Sequence, residues 1–571
     1  MDGSLPSEVT SNPIVERRRR LIHRALPVLA VLALGAFVVG VTLGGGDSKA
    51  EQATRDFAAA WVREDYAAMH RLLSPERRAA VSREQLAAAY RDAAATATVT
   101  RIATSDPESD GDVVRLPVTV DTRIFGRLEG EIVLSAPEGE IDWEPHLVFP
   151  GLTPSIALDR RTSAPARAKL VSADGVVLAE GPADARSSPA GDVAASIAGG
   201  LEAPTDAVEQ QVLYERGFPR DTPVGASGLE RVFERRLAGT PGGELLAGSK
   251  VIARGEPRPG RAVRTTIDTR VQEAANLALA GRLGGVAALE PRTGEIIALA
   301  GIAFSAPQPP GSTFKIVTAT AALEARKVKL ADEFPVATAA TIDGVELENA
   351  NGESCGGDFA SSFAHSCNSV FAPLGVEVGA ERLVEAAERF GWNEDPGISG
   401  ALPSTIPPAS EIATPLEVGS TAIGQFRTLA TPLQMASVAQ TIANGGIRKR
   451  PSLVPQPANA AGRRVTSQAI AKTVEKLMLG VVEFGTGTLA HVDGVEVAGK
   501  TGTAELGDTR GEDPDAALLD GDPSNTDAWF TSYAPAGKPR IVVAVMLVRN
   551  GAGGATAAPA AQGVLVAGLK R

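Results

Sequence analysis

Cysteine is close to absent from this 571-residue chain: there are two, Cys355 and Cys367. Histidine is nearly as scarce, and the five residues, His23, His70, His146, His365 and His491, are scattered without ligand spacing. No H-E-x-x-H and no paired C-x-x-C occurs, so no metal site and no cofactor is expected. Lysine is rare too, with twelve residues against forty-four arginines. The net charge is −12, and the one dense basic cluster lies at residues 17–24 rather than across a folded surface, which removes nucleic acid as a partner. There is no internal repeat of the solenoid kind. A hydrophobic content of 44% excludes global disorder, and the length suits two to four domains.

What is present begins with a charge-free run. Residues 25–43, ALPVLAVLALGAFVVGVTL, would span about 30 Å as a helix, the thickness of a bilayer core. Arg17, Arg18, Arg19, Arg20 and Arg24 precede it, which by the positive-inside rule keeps the N-terminus cytoplasmic. A cleaved signal peptide is the alternative, but its apolar core runs roughly 7 to 15 residues before an A-x-A-like exit, which GGGDSKA lacks. The expectation is a cytoplasmic tail over 1–24, one uncleaved transmembrane helix over 25–44, and everything after Gly46 outside, where a disulfide can persist. No cysteine follows the apolar run, so no lipoprotein anchor is expected.

Beyond the membrane the text changes character three times. From residue 51 it reads as helices: Ala53, Phe57, Ala60 and Trp61 keep helical spacing, Pro75 follows Ser74 as a first-turn proline, and Ser82 with Gln85 forms a capping box. Residues 96–149 then alternate as strands, giving a small α+β module over 45–152. Residues 153–265 are richer in Gly, Pro and Ala and read as a connecting domain, with one helix-like piece, SGLERVFERRLAG. From 266 to 571 a helix (TTIDTRVQEAANLAL), a hairpin turning at Pro291 to Gly294, two late strands in AWFTSYAPAGKPRIVVAVMLV and a closing helix describe a helix-flanked sheet domain.

Within that last domain, Ser312 and Lys315 stand three apart in QPPGSTFKIVTAT. On a helix they share a face, which suits a nucleophile and its base. A lysine at its free pKa of about 10.4 is a poor base at neutral pH, so burial or a second cation must favour its neutral form. Lys500, in VAGKTGTAE, is the candidate cation; it can also attract a substrate carboxylate that Thr501 and Thr503 hydrogen-bond, while Gly502 lets a substrate backbone approach closely. Between them HSCNS supplies Ser366, a hydroxyl able to relay a proton, and Asn368, an amide able to orient a carbonyl or the lysine. A lone S-x-x-K is ordinarily a solvated helix face. Here S-x-x-K, S-x-N and K-T-G each occur once, 54 and then 134 residues apart.

That set marks penicillin-binding proteins and class A β-lactamases. With PPGSTFKIVTA, AHSCNSVFA, AIGQ, ATPLQMA, IANGG, GTGTLA, GKTGTAE and AWFTSYAP around it, residues 260–571 resemble the penicillin-binding transpeptidase domain, a serine β-lactamase-like antiparallel sheet flanked by helices. IDWEPHLVFPGL and SGLERVFERRLAG upstream are similar to class B, monofunctional members of the methicillin-resistance type. Those carry a membrane anchor, a small nuclear-transport-factor-like α+β domain and a pedestal, here 153–265.

The resemblance implies a D,D-transpeptidase acting on peptidoglycan stem peptides, with β-lactams as covalent inhibitors and a membrane glycosyltransferase as partner. It implies Ser312 as nucleophile, Lys315 as base, Ser366 and Asn368 as relay and positioner, and Lys500 with Thr501, Gly502 and Thr503 as the carboxylate-binding strand. A D,D-carboxypeptidase and a non-catalytic scaffold of the wall-synthesis machinery are the alternatives. No E-x-x-x-N stretch follows S-x-N to activate water, so efficient β-lactam hydrolysis is not expected. Cys355 and Cys367 are expected to pair and brace the wall of the site, against the alternative of two buried thiols. Three departures stand out: Gln308 where an aromatic often precedes Pro-Pro-Gly, Phe426 in place of the glycine usual after I-G-Q, and Ala168 for a pedestal glycine.

Overall fold

The computed structural model describes residues 48–457, 459–506 and 522–571. The basic tail, the expected transmembrane helix over 25–44 and most of the acidic stretch from Asp508 to Asp527 lie outside the described residues. Among the described residues no helix is long and apolar enough to cross a membrane.

The chain divides into two compact units, the first holding residues up to Ser163 together with Tyr214–Phe218 and Gly242–Glu256. Its helices come first. Lys49–Val62 starts at a capping box between Ser48 and Glu51, and Arg83–Ala97 at one between Ser82 and Gln85. Phe57, Ala60, Trp61 and Tyr90 bury their apolar stripe against the inner face of an antiparallel sheet whose long strand, Val113–Thr122, turns Val114, Leu116, Val118 and Val120 inward. Arg160 finishes the second of these helices by donating to the carbonyls of Ala95 at 2.9 Å and Thr96 at 3.3 Å, in the last turn, where helical N–H partners run out. The segment 153–265, expected as one connecting domain, is divided. Strands Leu158–Ser163, Gly242–Ala247 and Lys250–Gly255 form a three-stranded sheet of the first unit, which also takes Tyr214–Phe218, whereas Ala164–Leu213, Pro219–Pro241 and the chain from Pro257 onward belong to the second.

The second unit is organised around a five-stranded antiparallel sheet. We label its strands β1 (Gly284–Leu289), β2 (Ile296–Gly301), β3 (Ala498–Glu505), β4 (Thr526–Ala534) and β5 (Ile541–Leu547); their order is β2-β1-β5-β4-β3. The expected hairpin, late strands and flanking helices are all formed. Helices α1 (Thr269–Leu279) and α7 (Ala557–Leu569) cover one face. Helices α2 (Lys315–Glu324), α3 (Phe359–Ala364), α4 (Asn368–Val378), α5 (Pro432–Ala443) and α6 (Gln468–Glu483) belong to the larger cluster on the other. Strand β5 is apolar throughout because both its faces are covered: Val543, Val545 and Leu547 pack toward α7, and Val542, Ala544 and Met546 toward α5. Strand β3, which carries K-T-G, is the edge strand at the helical end of the sheet.

Candidate active site

Three segments converge at the edge of β3. The first is the turn before α2. Gly311–Phe314 forms a 3-10 turn, and α-helical geometry begins only at Lys315. The helix expected to bring Ser312 and Lys315 to one face thus opens as a 3-10 turn, in which positions i and i+3 eclipse. Lys315 Nζ lies 3.0 Å from Ser312 Oγ. Gly311 makes the turn possible at φ +50°, a region a side chain rarely occupies, with the backbone of β3 at its flank.

The second segment joins α3 to α4. Ser366 takes a left-handed backbone, φ 61°, which for a residue with a side chain costs about 1–2 kcal/mol and points to local constraint. That conformation directs its carbonyl oxygen to Lys315 Nζ at 2.7 Å, while its hydroxyl lies 3.2 Å from Lys315 Nζ and 2.8 Å from Lys500 Nζ. Asn368 Oδ1 accepts from Lys315 Nζ at 2.6 Å, and its Nδ2 donates to the Glu348 carbonyl at 2.6 Å. An amide nitrogen carries two N–H bonds, so Asn368 Nδ2 has a second one to donate. Cys367, between these residues, is disulfide-bonded to Cys355, with Cα atoms 5.7 Å apart.

The third segment is β3 itself. Gly502 crosses the Ser312 turn so closely that a Cβ would stand 2.9 Å from the Pro310 carbonyl and 3.0 Å from Trp529 Cβ, so only glycine fits. The Thr503 hydroxyl accepts from Gly553 N–H at 3.3 Å and keeps its own proton to donate. Thr501 is buried, its hydroxyl 2.5 Å from that of Thr486, which in turn bonds the Ala364 carbonyl at the end of α3.

Both lysines are fully buried. Burial pushes Lys500 down to about 7. Burial, and after it the positive charge of Lys500, holds Lys315 well below the ordinary lysine range. The Phe371 ring lies 5.5 Å from Lys315 Nζ and the Phe363 ring 5.5 Å from Lys500 Nζ, so each amine has an aromatic face beside it. A neutral amine has two N–H bonds and one lone pair. Two neighbours of Lys315, the Ser366 carbonyl and Asn368 Oδ1, can only accept; they take both N–H bonds and leave the lone pair for a hydroxyl proton. Ser312 is the hydroxyl placed to give it.

Every residue singled out in S-x-x-K, S-x-N and K-T-G is therefore brought together, and so are the two cysteines. His365, next to Ser366 in the chain, is exposed, its ring 6.3 Å from that of Phe484. Sequence reasoning missed the Ser366 and Glu348 carbonyls, which have no side-chain signature, and Thr486. The sequence signal for Thr486 is the stretch GTGTLA at 485–490, one of those that resemble the family.

The family described as the penicillin binding protein transpeptidase domain matches residues 284–565. The peptidoglycan D,D-transpeptidase PbpA of Mycobacterium tuberculosis is 33% identical over 416 residues, covering 61% of this chain and 78% of that protein. Its counterpart from Mycolicibacterium smegmatis is 33% identical over 412 residues, covering 60% and 77%. Among solved structures, the penicillin G acyl-enzyme of penicillin-binding protein A from M. tuberculosis superposes with TM-score 0.55 at 28% identity, covering 71% of this chain and all of that one. The D,D-transpeptidase domain of a peptidoglycan glycosyltransferase from Eggerthella lenta gives 0.58 at 29% identity, covering 72% and 99%. An antiparallel sheet with a serine and two lysines at its edge defines the class of penicillin-interacting serine enzymes. The chain belongs, within it, to the penicillin-binding protein transpeptidases, of class B.

Proposed function

We propose that this protein is a peptidoglycan D,D-transpeptidase that cross-links stem peptides through a serine acyl-enzyme and is acylated by β-lactams. The observation that carries the reading is the connected hydrogen-bond network in which Lys315 bonds Ser312, Ser366 and Asn368, and Ser366 bonds Lys500. Ser312 Oγ attacks the carbonyl between the two terminal D-alanines as its proton passes to the Lys315 lone pair. The C–N bond breaks, the proton reaches the leaving amine through Ser366, and D-alanine departs. The amine of a second stem peptide then attacks the ester, forming a new C–N bond, breaking the C–O bond and returning a proton to Ser312.

Lys500, Thr501 and Thr503 hold the terminal carboxylate, with Gly502 letting the peptide lie against β3. The backbone N–H groups of Ser312 and Thr503 face the oxyanion of each tetrahedral state, where one lost donor typically costs about 10²- to 10³-fold in rate. The Cys355–Cys367 bridge agrees with a catalytic unit on the outer side of the membrane. The basic tail and residues 25–44 serve as a single-pass anchor, with the small α+β domain of 45–152 acting as a nuclear-transport-factor-like spacer of the methicillin-resistance type. A membrane glycosyltransferase supplies the strands to be joined.

The test is to treat the purified protein with a fluorescent penicillin and map the labelled peptide by mass spectrometry. Label on Ser312, lost in Ser312→Ala, is expected; label elsewhere, or none, overturns the reading. Incubation with stem-peptide donor and acceptor should give cross-linked dimer. Free D-alanine without dimer would assign a carboxypeptidase instead, and neither product a scaffold.

A further inference from the structure

Asn349 belongs to none of the three motifs, yet it is buried, only 4% exposed, and all of its side-chain hydrogen-bonding atoms are engaged. It stands where the chain leaves the hairpin of Ala339–Ile342 and Val345–Glu348 and turns toward strand Cys355–Asp358. Its Nδ2 donates to the carbonyls of Ala337 and Glu353, both at 2.8 Å, closing that turn across its mouth. Its Oδ1 accepts from Ser369 N–H at 2.9 Å.

Ser369 is the second residue of α4, and α4 starts without a cap of its own: Cys367 occupies the N-cap position and makes no side-chain capping bond. An orphan donor in the first turn of a helix is ordinarily satisfied by the N-cap side chain. Here the cap comes from twenty residues upstream. Asn349 thus fixes the start of α4, where Asn368 sits, and also its own neighbour Glu348, whose carbonyl receives Asn368 Nδ2. With Nδ2 on that carbonyl, Asn368 can offer only Oδ1 to Lys315. Turned over, the amide would face a carbonyl with an oxygen and an amine with N–H bonds.

We propose that Asn349 is a positioning residue of the acylation step: it holds the Asn368 amide so that Oδ1 takes an N–H of Lys315 and the lysine lone pair is left for Ser312. The inference rests on the transpeptidase reading given above. Asn349 touches no reacting atom and acts through Ser369 and Glu348. Its removal should leave the carboxylate-binding strand as it is, so initial binding of a β-lactam is retained while the covalent step slows. Misplacing a reacting group by about 1 Å costs on the order of 100-fold, which sets the expected size of the effect.

The test uses the purified full chain and stopped-flow acylation by a fluorescent penicillin, resolving the dissociation constant of the initial complex from the rate constant of acylation. Asn349→Ala is expected to lower the acylation rate constant about 10- to 100-fold with the dissociation constant little changed. Asn349→Asp, which keeps an acceptor for Ser369 N–H, should recover part of that loss. In an Asn368→Ala background, Asn349→Ala should cost little more, because the group it positions is gone. The proposal is overturned if Asn349→Ala acylates like wild type, if its whole loss appears in the dissociation constant, or if the losses of Asn349→Ala and Asn368→Ala add in full. Should Asn349→Ala fail to fold, Asn349→Asp alone and with Asn368→Ala decides by the same non-additivity. Wild-type protein that takes no label at Ser312 would sink the functional reading itself, whereas a labelled wild type with an indifferent Asn349 removes only this role.

Discussion

Lys315 can act as a base only if something keeps a proton off it, and the site supplies two such causes at once, desolvation and the charge of Lys500. Their signs make a prediction. Replacing Lys500 by Met removes the second cause, so Lys315 should hold its proton to higher pH and the acid limb of the acylation profile should move up. Rates measured across pH in wild type and Lys500→Met check this, and an unmoved or lowered limb would refute the coupling. The same burial has a consequence for stability. Lys500 has a folded pKa of about 7, below its unfolded value of about 10.4, so between those values the unfolded chain binds the extra proton. Stability lost to this group is therefore full below about pH 7 and is regained as pH rises toward about 10.4, by at most about 1.4 kcal/mol per pH unit. Lys500→Met lacks the term, so its melting temperature should exceed that of wild type near pH 7 and the gap should close toward pH 10; a constant gap contradicts it. The need for a second cation was legible in the sequence, because twelve lysines leave few candidates. The Ser366 carbonyl was not, because a backbone oxygen has no letter of its own and its direction depends on a φ of 61°.

At the scale of the element, the turn after α-helix Pro415–Ala422 carries one of the three departures from the family pattern. Phe426 stands where a glycine is usual, and its backbone still takes the glycine conformation, φ 60°. Phe426 is 37% exposed, and the Arg427 guanidinium lies 5.0 Å from the centre of its ring. A left-handed residue with a Cβ costs about 1–2 kcal/mol, partly offset because glycine is more flexible when unfolded. Phe426→Gly should therefore stabilise the second unit by about 1 kcal/mol, about 1–2 °C in melting temperature, without altering acylation at Ser312. A lowered melting temperature would mean that the ring holds something its exposure conceals. Elements of the sheet domain were readable because each carries its own signal: β5 is a short apolar run, α1 opens at Asp268, and the hairpin turns at Pro291 to Gly294. The 3-10 turn at Ser312 was not, since i, i+3 spacing fits both helix types and the choice is made by β3 crossing at Gly502.

For the whole molecule the sequence divides the chain by composition, and the fold divides it by strand pairing. The stretch 153–265 has one composition but serves two units, because Gly242–Ala247 pairs with Leu158–Ser163, with Gly242 opposite Ser163 and Ala247 opposite Leu158. Which distant strand a strand will choose is not written in its own alternation; alternation fixes only which face is buried. The interleaving bears on where the protein can be cut. A protein beginning at residue 164 would keep Gly242–Ala247 and Lys250–Gly255 without the strand that covers the edge of the former, and would expose Leu245 and Ala247, which are buried in the first core. An uncovered edge with apolar residues beside it invites association with other chains. The expectation is that a protein beginning at residue 48 elutes as one species in size-exclusion chromatography and reacts with fluorescent penicillin, whereas one beginning at 164 aggregates, although every proposed catalytic side chain is still present. A soluble, monodisperse and penicillin-reactive protein from residue 164 onward would show that the returning strands fold without the first unit, and that its boundary belongs after residue 256 rather than being shared between distant segments.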